Sequence, residues 1–90
     1  MAWRVEFDRA AERELAALDP QMARRIVAFM YGRVAQLEDV RSVGEALKGS
    51  RLGEFWKYRV GNYRVITKIE DQVMRILVVR VGNRREVYRP

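Results

Sequence analysis

The sequence predicts an α+β fold of order β-α-α-β-β-β, with a helical hairpin packed on one face of a mainly antiparallel four-stranded sheet. Three observations predict it. A short alternating segment at Trp3–Phe7 is followed by two stretches with apolar residues at helical spacing. Beyond them lie three segments rich in β-branched and aromatic residues, bounded by turn residues. Between the first two of these stands Gly61-Asn62, the two-residue signature of a β-hairpin.

Each element has a local reason. Trp3 to Phe7 alternates apolar and polar residues and reads as a strand. Asp8 is a helix N-cap, and from Arg9 to Leu18 the residues Ala11, Leu15 and Leu18 share one helical face. Asp19-Pro20 restarts the pattern, with Asp as cap and Pro at the first helical position, where its missing N–H costs nothing. The second helix is expected to run to about Glu38, with Met22, Ile26, Phe29, Met30, Val34 and Leu37 as its apolar stripe. So short a link makes the two helices antiparallel.

Residues 39–53 read as a connector, with Gly44, Gly49, Ser50 and Gly53 in it and Leu47 as an apolar anchor. Glu54–Val60 and Tyr63–Ile69 are the hairpin strands. A turn at Glu70-Asp71-Gln72 leads to Val73–Val81, apolar on both faces at Ile76, Leu77, Val78 and Val79 and therefore expected at the centre of the sheet. Gly82-Asn83 is expected to end that strand. Arg84 to Pro90 is a basic tail with one aromatic, Tyr88. No further helix covers the second face of the sheet, so that face is expected to stay open unless the tail crosses it.

Composition narrows the chemistry. The 90 residues are read as one domain, 1–90, and the chain is 49% hydrophobic and 33% charged, as ordinary globular domains are. No apolar run approaches the length of a membrane span, and the start lacks a signal-peptide core, so no membrane partner and a cytoplasmic location are expected. The absence of Cys excludes a disulfide framework and thiolate metal sites. The absence of His removes the usual general base and every Ser-His-Asp or Cys-His arrangement. Any catalysis must run on Lys, Arg, Tyr or carboxylates, and neither a metal nor a cofactor is expected.

Charge points to a partner. Eighteen Lys and Arg stand against 12 Asp and Glu, a net charge of +6. From Arg51 onward there are ten basic residues and only four acids (Glu54, Glu70, Asp71 and Glu86), so the excess belongs to the second half. A solvated cationic surface explains the total; a polyanionic partner also explains its distribution, because phosphate contacts release counterions. Hairpin geometry sharpens this. Lys57 and Arg59 are two apart and share a strand face, and a two-residue loop sets Arg59 opposite Arg64. The three cations therefore cluster, while Trp56, Tyr58, Val60, Tyr63 and Val65 take the other face and suit the core. Like charges placed opposite each other destabilise a hairpin, which a phosphate ligand would explain.

These residues carry a resemblance. Leu47-Lys48-Gly49, the stretch Phe55-Trp56-Lys57-Tyr58-Arg59-Val60-Gly61-Asn62-Tyr63-Arg64-Val65, and Val79-Arg80-Val81-Gly82-Asn83-Arg84-Arg85-Glu86-Val87-Tyr88 together resemble the RelE/ParE toxin superfamily, on the RelE side. The likeness covers nearly the whole chain. It implies the toxin of a type II toxin–antitoxin pair: a ribosome-dependent endoribonuclease, or mRNA interferase, that cleaves translated mRNA and inhibits protein synthesis. The implied partners are mRNA, the ribosome and an acidic RelB-like antitoxin, with a heterotetramer as one expected assembly. The implied catalytic set is Lys57, Arg59, Arg64, Arg84 and Tyr88, and Lys48, Arg51 and Arg85 are read as RNA-binding. Two departures matter: Arg59 stands where RelE commonly has a second lysine, and Asn83 where many relatives carry His.

The implied chemistry is coherent on its own terms. A 2′-hydroxyl can attack the adjacent phosphate without metal if a base takes its proton, cations stabilise the phosphoryl oxygens and an acid serves the leaving 5′-oxygen. Arg64 and Arg59 would stabilise the phosphorane and Arg84 would serve the leaving oxygen. The base would be Lys57 or Tyr88, since Arg59 stays protonated and so cannot take up the hydroxyl's proton. Two other readings compete. A ParE-like toxin that poisons DNA gyrase would share the fold but needs neither the hairpin cations nor Tyr88. A non-catalytic nucleic-acid-binding module explains the charge but not Tyr88.

Overall fold

Asp8 ends the first strand and opens the first helix: its carboxylate accepts the Ala11 N–H at 2.9 Å, while its own N–H donates to the Val78 carbonyl at 3.0 Å. The computed structural model describes residues 2–47 and 55–83. Along them run β1 (Arg4–Phe7), α1 (Arg9–Ala16), α2 (Pro20–Gly32), a 3-10 turn (Val34–Gln36), β2 (Glu45–Ala46), β3 (Phe55–Val60), β4 (Tyr63–Glu70), a second 3-10 turn (Asp71–Val73) and β5 (Arg75–Asn83). Asp19 caps α2 through Met22 N–H, with Pro20 in the first turn as its fixed φ favours.

The architecture is α+β, a helical pair on one face of a mixed sheet of order β1-β5-β4-β3-β2. Three pairings are antiparallel; β1 joins β5 in parallel, the two helices and three strands between them leaving ample chain for that direction. Four strands were expected and five form. The fifth is β2, two residues inside the connector, paired as Glu45↔Lys57 and Ala46↔Trp56. So short a strand has no periodicity to detect; the pairing is a tertiary outcome. β5 is interior but second from the edge, and β4 is the central strand. β5 also continues through Gly82 to Asn83 rather than stopping at the glycine, because Arg64 and Tyr63 of β4 are there to pair with them.

The second helix ends at Gly32, not near Glu38. Arg33 closes it through Phe29, and Val34 and Ala35 then bury in a tighter turn. The apolar stripe continued past the helix because the turn keeps those side chains on the core side. Ala11, Ile26, Met30, Val34, Val40, Tyr58, Val65, Ile76, Val78 and Val81 are the nearly inaccessible centre of that core. Trp56, Tyr58, Val60, Tyr63 and Val65 lie on the core face as the hairpin parity predicts: Tyr58, Val60 and Val65 are buried, and Trp56 and Tyr63 pack against the cluster. At these burials each large side chain contributes about 1.5–3 kcal/mol.

The hairpin itself forms in the predicted register, Val60↔Tyr63 and Arg59↔Arg64, and Gly61 takes φ of 61°, which a side chain would resist.

Candidate phosphate site on the hairpin face

The hairpin delivers three cations to one place. Lys57, Arg59 and Arg64 line a pocket of about 240 Å³ together with Val43, Gly44 and Glu45. Arg64 is 9% exposed, so it is not the solvated strand residue that an open face implies. Ile66, two residues on, is also buried, at 4% exposed. The Arg64 guanidinium donates to the Tyr63 carbonyl at 3.3 Å, and its register partner in β5 is Gly82, which has no side chain to oppose it. A buried guanidinium is costly to desolvate unless it is paired, and among the described residues no carboxylate pairs with Arg64.

Glu45 is the residue that sequence reasoning missed. Its carboxylate sits 3.7 Å from Lys57 Nζ across the β2–β3 pairing. Beside three cations, it is the one acidic group lining the pocket among the described residues. The only signal in the sequence was the cross-strand position, which needed β2 to exist.

The wall carrying Glu45 is firmly fastened. Gly44 lies so close to Trp56 that a Cβ there would stand 2.5 Å from the indole ring, so only glycine fits. Tyr58 donates its buried hydroxyl to the Val40 carbonyl, and burial pushes the phenol well above its ordinary range. Arg41 stacks 5.9 Å over Trp56 and forms a two-pronged bond to Asp71 at 3.0 and 2.8 Å. That hydrogen bond holds the Asp71 carboxyl below its usual value and raises Arg41.

Elsewhere the same sheet is electrically balanced. Arg4 pairs with Glu6 at 2.9 Å, and Arg75 reaches Glu6 at 3.2 Å and Glu70. Arg80 pairs with Glu14 at 3.0 Å, and Glu14 also accepts the Val81 N–H at 2.8 Å. Among the described residues, Arg59 and Arg64 have no such carboxylate partner. The face is therefore neutral at the β1 end and cationic at the hairpin end. No group of three or more carboxylates able to hold a metal occurs among the described residues, and none of their helices is long and apolar enough to cross a membrane.

The structure thus brings Lys57, Arg59 and Arg64 together. Arg84, Arg85, Tyr88, Lys48 and Arg51 lie outside the described residues.

A strand, a helical pair, a hairpin and a last strand in this order have known counterparts. The family model described as the ParE toxin of type II toxin–antitoxin system, parDE, matches residues 5–88. The chain belongs to the RelE/ParE toxin superfamily. It is similar to Toxin RelG of Mycobacterium tuberculosis (strain ATCC 25618 / H37Rv), 33% identical over 89 residues, which are 99% of either chain. The toxin also superposes on a chain of the M. tuberculosis RelBE2 toxin–antitoxin complex with a TM-score of 0.82 at 27% identity, covering 93% of both chains. A mutant of the E. coli toxin RelE in the free state shares the fold, with a TM-score of 0.76 at 24% identity, over 98% of this toxin and 92% of RelE. The protein is accordingly the toxin of a type II toxin–antitoxin system.

Proposed function

We propose that this toxin is a ribosome-dependent endoribonuclease that cuts translated mRNA and so stops protein synthesis. The observation that carries the reading is the convergence of Lys57, Arg59 and Arg64 on one pocket at the cationic end of the sheet. Phosphoryl transfer needs concentrated positive charge where the phosphorane forms. Arg64, held in the pocket and nearly buried, and Arg59, directly opposite it, are suited to that task. The step needs no metal or other cofactor: the 2′-oxygen attacks phosphorus, its proton passes to the base, and the 5′-oxygen leaves with a proton. Lys57 or Tyr88 takes the first proton; Arg84 neutralises the charge growing on the leaving 5′-oxygen, which takes its proton from solvent. Positioning of mRNA by the ribosome supplies much of the rate. Lys48, Arg51 and Arg85 add backbone contacts.

The relatives solved as toxin–antitoxin complexes support a RelB-like partner. The antitoxin of this toxin is acidic, lays an amphipathic helix across the helical pair and masks the basic face, in a heterotetramer. Both act in the cytoplasm, where translation occurs.

One observation favours a second reading, a gyrase poison without nuclease activity: the matching family model is described as ParE. Mapping mRNA 5′ ends in a translating extract with and without the toxin separates the two. New ends on ribosome-bound mRNA, lost in Arg64→Ala, support the nuclease. Intact mRNA together with gyrase-dependent DNA breaks overturns it. The tail is tested in the same assay. Tyr88→Ala loses more rate than Tyr88→Phe if stacking on a base, worth about 1–3 kcal/mol, is its larger role.

A further inference from the structure

The cationic end of the molecule does not stop at the pocket rim. Gly61, at the tip of the β3–β4 hairpin, is flanked by two guanidiniums from opposite sides of the sheet. From the face opposite the helices, Arg59 Nε donates to the Gly61 carbonyl at 3.5 Å. From the helical layer, Arg25 of α2 leans over the same residue: a Cβ on Gly61 would stand 3.3 Å from Arg25 Nη1. Arg25 is exposed, and among the described residues it has no carboxylate partner, unlike Arg4, Arg41, Arg75 and Arg80. Arg64, Arg59 and Arg25 therefore form a ridge of guanidiniums, none paired with a carboxylate among the described residues, running from the pocket, round the tip, onto α2.

We propose that Arg25 makes a non-catalytic phosphate site for RNA backbone outside the cleavage pocket, a docking contact at the hairpin tip. The inference rests on the nuclease reading, since the ridge is continuous with the proposed cleavage pocket. RNA fits it better than an acidic protein. Protein interfaces are organised around buried aromatic or aliphatic anchors, whereas the tip offers exposed Gly61 and Asn62, with the half-buried Met22 methyl beside Arg25 as its apolar neighbour. Phosphate contacts need only positioned cations, and a planar guanidinium suits them. The ridge also explains why Gly61 is doubly restricted: its positive φ shapes the turn, and a side chain there would crowd Arg25.

The test is binding of a 2′-O-methylated RNA stem-loop, which cannot be cut, followed against salt for wild type, Arg25→Glu and Arg9→Glu. Arg9 makes the same charge change at the start of α1, whose cap Asp8 bonds Val78 of β5, well down the strand from the tip. Arg25→Glu is expected to weaken binding about tenfold near 0.1 M salt and to lower the salt slope by about one, as loss of one phosphate contact should. Arg9→Glu is expected to change either by much less. In the translating extract, Arg25→Glu raises the toxin concentration giving half-maximal cleavage and leaves the maximal rate unchanged. Equal effects of the two substitutions would reduce the ridge to bulk charge and overturn the proposal. Unchanged RNA binding with weakened antitoxin binding would overturn it in favour of an acidic protein. If wild type cuts nothing but Arg25→Glu still loses stem-loop binding with the altered slope, the docking site stands and the nuclease reading falls.

Discussion

Arg59 and Arg64 stand directly opposite each other on one face of the β3–β4 hairpin. Two like charges so placed destabilise a hairpin by roughly 0.2–1 kcal/mol. Arg59→Gln removes that repulsion and is expected to raise the thermal midpoint by up to about 5 °C, while cutting RNA cleavage at least tenfold. A scanning-calorimetry trace with a lower midpoint would mean that the guanidinium stabilises the fold.

Arg64 is buried yet has one hydrogen bond, to a carbonyl, among the described residues. Its desolvation offsets what its stem gains by packing. Arg64→Ala is expected to abolish cleavage while moving stability by no more than about 1 kcal/mol in either direction. Arg64→Lys should restore charge but little activity, since an ammonium cannot hold two phosphate oxygens as a fork does. Urea unfolding of both variants, beside the cleavage assay, checks this.

Glu45 faces Lys57 at 3.7 Å with most of its carboxylate in solvent. An exposed pair of this kind contributes little to stability. It does repel a phosphate entering the pocket, by an amount worth about 0.5–1 kcal/mol in largely aqueous surroundings. Glu45→Gln should therefore tighten RNA binding roughly two- to fivefold. Tighter binding with loss of turnover would reassign Glu45 as the proton acceptor of the reaction.

Asp71 titrates below its usual value because Arg41 donates two hydrogen bonds to it. A lowered carboxyl contributes stability above the unfolded-state value and loses it as pH falls through the lower folded one. Asp71→Asn should thus be less stable than wild type near neutrality, by under about 1 kcal/mol since the pair is exposed. The difference should vanish as the pH drops below 3.8, the unperturbed carboxyl value, and through the folded one. Thermal midpoints measured across that range would show convergence, and parallel curves would contradict it.

Tyr58 is buried and donates its hydroxyl to Val40. Tyr58→Phe strands that carbonyl and is expected to cost about 1–2 kcal/mol. The phenol titrates above its ordinary value of 10.0 in the fold, so wild type loses stability as pH rises past that point and the phenylalanine variant does not. Amide exchange in residues 39–46 should also quicken, because this bond fastens the wall that presents Glu45.

What the chain determined by itself was whatever depends on neighbours in sequence. Asp8 and Asp19-Pro20 start the helices through short-range capping, and Gly61-Asn62 sets the hairpin register. Two-residue parity then places Lys57, Arg59 and Arg64 on one face before any tertiary contact is known. The tertiary structure decided what depends on packing between distant segments. It recruited Glu45–Ala46 as a fifth strand, because β3 offered a free edge and Gly44 could approach Trp56. It ended α2 at Gly32, where a tighter turn could still bury Val34. It withdrew Arg64 from solvent and set Arg25 beside the hairpin tip. Periodicity reports which face a residue takes, but not which segment will cover that face. Burial and charge pairing, and with them the character of the site, belong to the folded molecule.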